Sequence, residues 1–140
     1  MKNKTLAVWL TLILGTIGLQ RFYLAGRYDR WAWMATAPTC IGWYGIWRAR
    51  SLGLDDLWSW ALIPIGGFTI AACALLAIRY GLMDASHWNA RFNPEADLED
   101  PAGQTHGLTV LGLGASLLLG TTVLMATIAF SFQRYFEFTA

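Results

Sequence analysis

Long runs of residues without any Asp, Glu, Lys or Arg constrain this chain more than any other feature. A helix rises about 1.5 Å per residue, so about 20 residues cross the roughly 30 Å hydrocarbon core of a bilayer. Soluble domains do not carry apolar runs on this scale. We therefore expect an all-α integral membrane protein with four transmembrane helices arranged as two antiparallel hairpins. The charge-free runs cover residues 5–20, 31–47, 57–78 and 107–133.

The first two runs are the shorter ones, and basic residues at their ends extend them. Long cationic side chains reach back toward the headgroups and so let a short apolar run span the hydrocarbon. The spacing of the runs divides the chain into two units. The first is a hairpin at residues 1–56, and the second is a hairpin at residues 57–140 with a polar excursion at residues 79–106.

The polar excursion contains the pattern of a short amphipathic helix. Asp84 is a candidate N-cap, Trp88 and Phe92 lie four residues apart, and Asn93 precedes a proline that ends the helix. We expect this helix to lie at the membrane interface between the third and fourth spans. Residues 94–103 carry four acids and no base, a composition that predicts a solvated loop.

The stretch GLQRFYLAGRYDRW, residues 18–31, places three arginines in the turn of the first hairpin. Arg21 directly follows an apolar run, so its guanidinium needs a partner: lipid phosphate, carbonyls at the end of the first helix, or Asp29. We expect the fold to hold Arg21, and Arg27 and Arg30 to face lipid phosphate or water. Anionic headgroups are the predicted partners, with Arg21, Arg27 and Arg30 as contacts.

The order LILGTIGLQRFYLAGRYDRW, followed by IGWYGIWRARSLGLDDLW, resembles the TM-two domain of bacterial membrane proteins. The likeness covers about residues 1–60. It implies a two-transmembrane hairpin and a membrane location, and it implies no reaction. The positions that match are Gly15, Gly18, Arg21, Phe22, Tyr23, Leu24, Gly26, Gly42, Gly45, Trp47 and either Asp55 or Asp56. The structural motif of the turn is then Gln20, Arg21, Phe22, Tyr23, Gly26 and Asp29, with Gln20 where many members carry His or Asp.

Small residues recur at helical spacing in the apolar runs. Gly112, Ser116 and Gly120 lie four residues apart, and Gly15 and Gly18 lie near the end of the first run. Such residues let helices approach closely in lipid. They predict helix packing within the chain, with homo-oligomerisation through the Gly112 face as the alternative. A second copy or another membrane protein is therefore a candidate partner.

Residues with catalytic or metal-binding chemistry are sparse. Asp84, His87 and His106 carry groups that ligate metals, but no dense ligand spacing supports a site, so we predict no metal and no cofactor. No nucleophile elbow, phosphate-binding glycine loop or buried carboxylate pair occurs, and we predict no enzyme activity. A lipid-directed metalloenzyme using those three residues is the third hypothesis. The net charge of +1 argues against a nucleic-acid partner.

Basic residues divide evenly between the two sides of a four-span protein of this sequence. Lys2 and Lys4 precede the first span and favour a cytoplasmic location of both termini, in the bacterial inner membrane. The main hypothesis is a non-enzymatic multi-pass membrane protein that binds lipid headgroups or a partner protein. The alternative is a small oligomeric channel or transporter, suggested by Pro38 and Pro64 within spans and by the small-residue helix faces.

Overall fold

A computed structural model describes residues 1–26 and 29–140 of the chain. Helices account for 82% of it, and the described residues form no strand, in agreement with the all-α prediction. Two 3₁₀ turns accompany the α-helices, at Gly15–Ile17 and Pro101–Gly103. The described α-helices are α1 (Lys4–Leu14), α2 (Leu19–Ala25), α3 (Arg30–Leu52), α4 (Leu57–Gly81), α5 (Ala85–Phe92) and α6 (Gly107–Thr139).

The first charge-free run does not form one continuous helix. After α1 and the 3₁₀ turn, α2 runs back beside α1. The hydroxyl of Tyr23 accepts a hydrogen bond from the Asn3 N–H at 2.7 Å, and the Lys2 ammonium donates to the Leu24 carbonyl. A straight helix would hold residues 3 and 23 about 30 Å apart. The predicted continuous transmembrane helix at residues 5–20 is therefore wrong, because the chain turns back at Gly18 and α1 and α2 form a helical hairpin. We name residues 4–25 the re-entrant hairpin because the chain returns to the end at which it starts.

Two glycines and two threonines produce this reversal. Gly18 has a φ of 76°, a left-handed conformation that other residues avoid, and its N–H donates to the Gly15 carbonyl at 2.9 Å. The hydroxyls of Thr36 and Thr39 on α3 donate to carbonyls of the 3₁₀ turn at 3.2 and 2.5 Å. These bonds satisfy backbone acceptors that would be costly to leave unpaired in apolar surroundings.

The long helix α4 runs antiparallel to both α3 and α6. It contacts each of them at small residues. A Cβ added to Gly42 of α3 would lie 2.5 Å from the Cα of Gly66 on α4. On the other side of α4, a Cβ added to Gly120 of α6 would lie 2.7 Å from the Ala74 Cβ. Backbones therefore approach closely on both faces of α4, which is the central helix of the bundle.

The small-residue face of α6 is covered by other helices of the same chain. A Cβ added to Gly112 would lie 2.8 Å from Cγ1 of Val8 in α1, and Ser116 is fully buried. Gly120 faces α4 as described above. This face thus packs within the chain, as the small-residue spacing predicts.

Among the described residues, two helical stretches are long and apolar enough to cross a membrane: Leu57–Gly81 and Pro101–Thr139. The other two predicted spans do not reach that standard. The helix α1 has only 11 residues. The helix α3 has 23 residues, which is long enough, but its tryptophans and terminal arginines make it less apolar. By length and composition, the sequence-based count of four is thus reduced to two.

The two chain termini lie at opposite ends of α4. Lys2 contacts Trp88 and Asn93 beyond the C-terminal end of α4. The ring of Phe138 lies 5.8 Å from that of Trp60, in the first turn of α4. The 25 residues of α4 span about 36 Å. The described chain thus has its two termini at opposite ends of the helical bundle.

The polar excursion folds onto the N-terminal segment. The helix expected there is present as α5, but Trp88 is fully buried, and its indole N–H donates to the Lys2 carbonyl at 2.9 Å. The amide of Asn93 accepts from the Lys2 N–H at 2.7 Å and donates to the Lys2 carbonyl at 3.0 Å. Trp88, on the apolar face of α5, therefore packs against protein, and α5 is held to the N-terminal segment.

The acidic segment after α5 is also ordered by internal contacts. The side-chain amide of Asn89 donates to the carbonyls of Leu98 and Asp100 at 3.0 and 3.1 Å. Asp100 caps the 3₁₀ turn by accepting from the Ala102 N–H at 2.9 Å. The expected solvated loop is thus a folded element. We name residues 1–3 and 82–106 together the polar cap.

Lys4 is completely enclosed beneath the polar cap. Its ammonium donates to the Met83 carbonyl at 2.8 Å and to the Thr105 hydroxyl at 2.7 Å. Burial lowers the pKa of Lys4, and the nearby Asp84 carboxylate acts in the opposite direction. A buried amine needs such partners, so Lys4 ties the start of α1 to the cap.

Candidate functional site

Arg21 and Asp29 form an ion pair across the turn that joins α2 to α3. The Nε–H of Arg21 donates to Oδ2 of Asp29 at 2.7 Å. The other carboxylate oxygen caps α3 by accepting from the Trp31 N–H at 3.0 Å. The hydrogen bond from Arg21 lowers the pKa of the Asp29 carboxyl, with a smaller contribution from Trp31. Of the three partners considered for Arg21, the described structure thus supplies Asp29.

The remaining motif residues position this turn. The ring of Phe22 meets that of Trp33 edge-on, with centroids 5.3 Å apart, and so joins α2 to α3. Tyr23 binds the backbone of Asn3 in the polar cap. Gly26 ends α2 with a φ of 95° and donates its N–H to the Phe22 carbonyl at 3.1 Å. Their contacts hold Arg21 at the boundary between the cap and the bundle.

Three side chains remain exposed at this boundary. Arg21 is 44% exposed, and its hydrogen bond to Asp29 uses only Nε, so neither terminal NH₂ group donates a hydrogen bond to a described residue. Arg30 is exposed, as is Trp31. We name Arg21, Arg30 and Trp31 the arginine rim. Arg27, the third predicted cation, lies outside the described residues.

Gln20 lies next to Arg21 but points inward. It is only 2% exposed, and its Oε1 receives no hydrogen bond from any residue that the structure describes. A Cβ added to Gly15 would lie 3.7 Å from this oxygen and 3.1 Å from the Cys73 Sγ. An unpaired buried acceptor costs about 1–3 kcal/mol. Gln20 is therefore an energetically unfavourable residue in the absence of a ligand.

A groove of about 690 Å³ runs from the arginine rim between α2, α3 and α4. We name it the arginine groove. Gln20 and Arg21 line it on α2, Trp31 and Met34 on α3, and Phe68 and Cys73 on α4. Its volume lies within the range of sites that bind small molecules. Polar and cationic groups thus lie at one end of a largely apolar channel.

A second cavity, of about 530 Å³, lies beyond the tip of the re-entrant hairpin. Leu12, Thr39, Ile63 and Thr127 are among the residues that line it. The two threonine hydroxyls already donate to helix carbonyls, at 2.5 and 2.7 Å. This cavity therefore offers apolar volume and no unpaired side-chain acceptor comparable to Gln20.

The candidate metal ligands do not form a cluster. Asp84, His87 and His106 are all exposed on the polar cap. His106 precedes α6, and its backbone N–H donates to the Thr109 hydroxyl at 3.2 Å. Within residues 1–26 and 29–140, no three His, Cys, Asp or Glu side chains lie close enough to hold a metal ion.

A second ion pair closes the connection between α3 and α4 at the other end of the bundle. Arg48 binds both carboxylate oxygens of Asp56, at 2.8 and 2.9 Å. Asp56 also accepts from the N–H and hydroxyl of Ser59, at 2.9 and 2.6 Å. The Arg48 guanidinium, followed by Ser59, holds the pKa of the Asp56 carboxyl far below its ordinary range. This cluster is structural, since its polar groups bind one another.

We expect Asp56→Asn to lower the melting temperature at pH 7. The melting temperature of this variant should also fall less than that of the unmodified protein when the pH is lowered. A carboxyl whose pKa is depressed in the folded state stabilises the protein above its unfolded pKa, and this contribution is lost as the pH falls below about 4. Melting curves from pH 7 to pH 3 measure both effects. Asp55→Asn is the control, because Asp55 is exposed and has no described hydrogen-bond partner. An equal loss in both variants would contradict the assignment.

Comparisons with known proteins do not assign the chain to a family. No family model, no curated protein and no solved structure matches the chain.

Proposed function

We propose that this chain is a non-enzymatic integral membrane protein that binds anionic phospholipid at the arginine rim. In this proposal α3, α4 and α6 cross the bilayer, and α1 with α2 enters and leaves it on one side. Three crossings and a re-entrant hairpin thus replace the four crossings expected from the charge-free runs.

The distribution of side chains on the bundle supports a lipid environment. Large apolar residues face outward: Leu118 is 73%, Trp33 69% and Leu75 66% exposed. Small polar residues such as Thr11 and Ser116 are fully buried. A soluble bundle places its large apolar residues inside, and extensive exposed apolar surface requires a partner or a membrane. Small residues at helix contacts are typical of membrane bundles.

The charge distribution along α3 supports its role as the third crossing. The helix has 23 residues and is therefore about 34 Å long, enough for the hydrocarbon core. Its charged residues are Arg30 at one end and Arg48 and Arg50 at the other, with none between them. Exposed tryptophans near both ends suit the two interfaces.

The depth of the re-entrant hairpin supports a position of Arg21 near the phosphates. Gly15, at the tip, lies beside Cys73 of α4. Cys73 precedes the end of α4 by eight residues, which corresponds to about 12 Å. The helix α2 climbs back toward the same end, so Arg21 lies a few ångströms below the polar cap. A guanidinium at that level reaches lipid phosphate with its terminal NH₂ groups.

The observation that carries the lipid-binding proposal is the incomplete pairing of Arg21. Asp29 binds only Nε, so the planar edge that suits a phosphate stays available within the described structure. Arg30 adds a further exposed cation beside it. Trp31 supplies an aromatic ring of the kind found at headgroup level.

The arrangement of basic residues also supports an orientation. The positive-inside rule assigns the end with more Lys and Arg to the cytoplasm. The end with the cap carries Lys2, Lys4, Arg21, Arg30, Arg79 and Arg91, and the other end carries Arg48, Arg50 and Arg134. We place the polar cap in the cytoplasm of a bacterial cell and the C-terminus on the opposite side of the inner membrane.

We expect Arg21→Gln to weaken binding of phosphatidylglycerol about tenfold, because a charge-assisted hydrogen bond contributes roughly 1.5 kcal/mol. Native mass spectrometry of the purified protein, with phosphatidylglycerol added to detergent micelles, measures the bound fraction. Binding of zwitterionic phosphatidylcholine should change little.

Arg50→Gln is the matched control, because Arg50 is exposed at the other end of α3. Removing it should leave phosphatidylglycerol binding close to that of the unmodified protein. Equal binding by Arg21→Gln and the unmodified protein would contradict a headgroup site at the arginine rim.

The resemblance to the TM-two domain remains part of this proposal. The motif residues that carry the resemblance are those that set the re-entrant turn, above all Gly18, Arg21 and Tyr23. In a protein of that kind, the Arg-Phe-Tyr sequence would fasten a helical hairpin at the headgroup level. No catalytic step is proposed.

A further inference from the structure

The arginine groove joins cationic and apolar surface in one continuous volume. Arg21 and Trp31 of the arginine rim line its mouth, and the same volume continues between α3 and α4. Its walls on these two helices are mostly apolar, with side chains such as Met34, Phe68 and Leu76. The terminal NH₂ groups of Arg21 donate no hydrogen bond to a described residue. An anionic group at the mouth therefore has an available partner, and whatever follows it into the groove meets apolar walls.

The deeper walls of the groove give a polar occupant few hydrogen-bond partners. Thr69 carries a hydroxyl there, but this hydroxyl already donates to the Ile65 carbonyl at 2.7 Å. Oε1 of Gln20 is enclosed near Gly15. An ordered water in a cavity needs about two to four polar partners. Hydrocarbon therefore suits the deep part of the groove better than water or a polar molecule does.

The depth of the groove matches one leaflet of a bilayer. On α4 its lining residues extend from Leu76 to Ile65, which are eleven residues apart. This separation corresponds to about 16 Å along the helix axis. Half of the hydrocarbon core of a bilayer is roughly 15 Å thick. An extended chain that starts at the arginine rim therefore reaches the inner end of the groove near the middle of the membrane.

The groove is open to the surrounding lipid along its side. Met34 of α3 and both Phe68 and Ala72 of α4 line it and are exposed. A hydrocarbon chain can therefore enter from the bilayer while its phosphate stays at the rim. A second copy of the protein fits less well, because a two-fold contact at this groove would bring two arginine rims together, and like charges repel each other.

We propose that one hydrocarbon chain of the phospholipid bound at the arginine rim lies in the arginine groove, between α3 and α4. The phosphate accepts from the terminal NH₂ groups of Arg21, and the other chain stays in the bilayer. The inference rests on the proposed function, because Arg21 is the phosphate contact in both. It adds that the groove retains the lipid together with the rim, so the ligand is a long-chain phospholipid and not a free phosphate.

A photoreactive lipid locates the chain. The full-length protein in detergent micelles receives a trace of phosphatidylglycerol with a diazirine in the middle of one chain, and peptide mass spectrometry identifies the labelled residues after irradiation. Labelling of residues 65–72 should exceed that of Leu118 and Thr122 several-fold. These two residues are exposed on α6, within a turn of Gly120, which contacts Ala74 of α4. Excess unlabelled phosphatidylglycerol should remove the difference, and glycerol 3-phosphate should not.

Two tryptophan substitutions on α3 form a matched pair. Ala35 lines the groove and is half-buried, so Ala35→Trp should fill the groove and reduce labelling of residues 65–72 several-fold. Ala37 is exposed two residues further along and is not part of the lining, so Ala37→Trp should leave the labelling unchanged. If Ala35→Trp does not fold, Ala72→Trp blocks the groove from its exposed wall on α4. Unchanged labelling in a folded groove variant would overturn the inference.

The outcomes separate this inference from the proposed function. Phosphatidylglycerol that binds through Arg21 but labels all exposed helix faces equally would overturn the inference and leave the headgroup site intact. Labelling of the groove that Arg21→Gln does not reduce would also overturn it, because chain and phosphate would then bind independently. A dimer with an unlabelled groove would show that a second copy occupies it, against the inference. Equal retention of phosphatidylglycerol by Arg21→Gln and the unmodified protein, with no labelling of the groove, would overturn both.

Discussion

Replacing Gly18 with alanine should lower the free energy of unfolding by roughly 3 kcal/mol or more. Two costs add at this position. The φ of 76° is unfavourable for alanine, and the new Cβ would overlap the carbonyl oxygen of Ala32 on α3. Relief requires α3 to move away from the re-entrant turn, which would also break the hydrogen bonds from Thr36 and Thr39.

Gly26→Ala separates these two costs. Gly26 also has a positive φ, of 95°, but no atom of another described residue lies within 4 Å of a Cβ added there. Thermal or denaturant unfolding in detergent should therefore show a clearly smaller loss for Gly26→Ala than for Gly18→Ala. If the two variants lose the same stability, contact between the re-entrant turn and α3 is not what makes Gly18 necessary.

Trp88→Ala is expected to cost about 3–5 kcal/mol, as do comparable truncations of buried aromatic residues. Trp88 is fully enclosed, contacts the rings of Tyr80 and Phe92, and donates to the Lys2 carbonyl. Its removal leaves a void in the polar cap and an acceptor without its indole donor. The cap should then open before the rest of the bundle, because α3, α4 and α6 do not depend on it for their contacts.

Limited proteolysis and thermal unfolding measure this effect. Cleavage of Trp88→Ala should begin within residues 82–106, at protease concentrations that leave the unmodified protein intact. Trp58→Ala is the control, because Trp58 is 66% exposed and its loss should cost less than about 1 kcal/mol. Resistance to protease equal to that of the unmodified protein would show that the cap does not depend on Trp88.

The charge-free runs predict α4 and α6 because these helices depend on local composition and length alone. They do not predict the reversal at Gly18. Membrane helices commonly contain glycine, so two glycines in an apolar run fit both a continuous helix and a turn. Residues distant in sequence decide between a continuous helix and a turn, because Thr36 and Thr39 bind the carbonyls that the turn exposes.

The polar cap illustrates the same limit of local patterns. The spacing of Trp88 and Phe92 predicts an amphipathic helix, but it does not identify the surface that covers its apolar face. Lys2, which binds Trp88 and Asn93, is more than 80 residues away in sequence. A tryptophan and two asparagines within six residues of a short helix were the available signal that this helix is fixed by hydrogen bonds.

The candidate site was partly accessible from sequence. Arg21 and Asp29 are the basic and acidic residues of one short turn, so their pairing could be anticipated as one of three options. The burial of Gln20 could not be anticipated, because it depends on how Gly15 of the 3₁₀ turn meets Cys73 of α4. The sequence also did not predict the role of Lys4. An N-terminal lysine before an apolar run ordinarily stays at the membrane surface.

The sidedness of the two termini tests the central claim most directly. A small epitope added at the N-terminus and a single cysteine at Thr139, with Cys40 and Cys73 replaced, can be probed with impermeant reagents in oriented membrane vesicles. The re-entrant hairpin and three crossing helices predict that the termini lie on opposite sides, with the N-terminus in the cytoplasm. Detection of both termini on the same side would contradict the account, because the chain would then cross the membrane an even number of times.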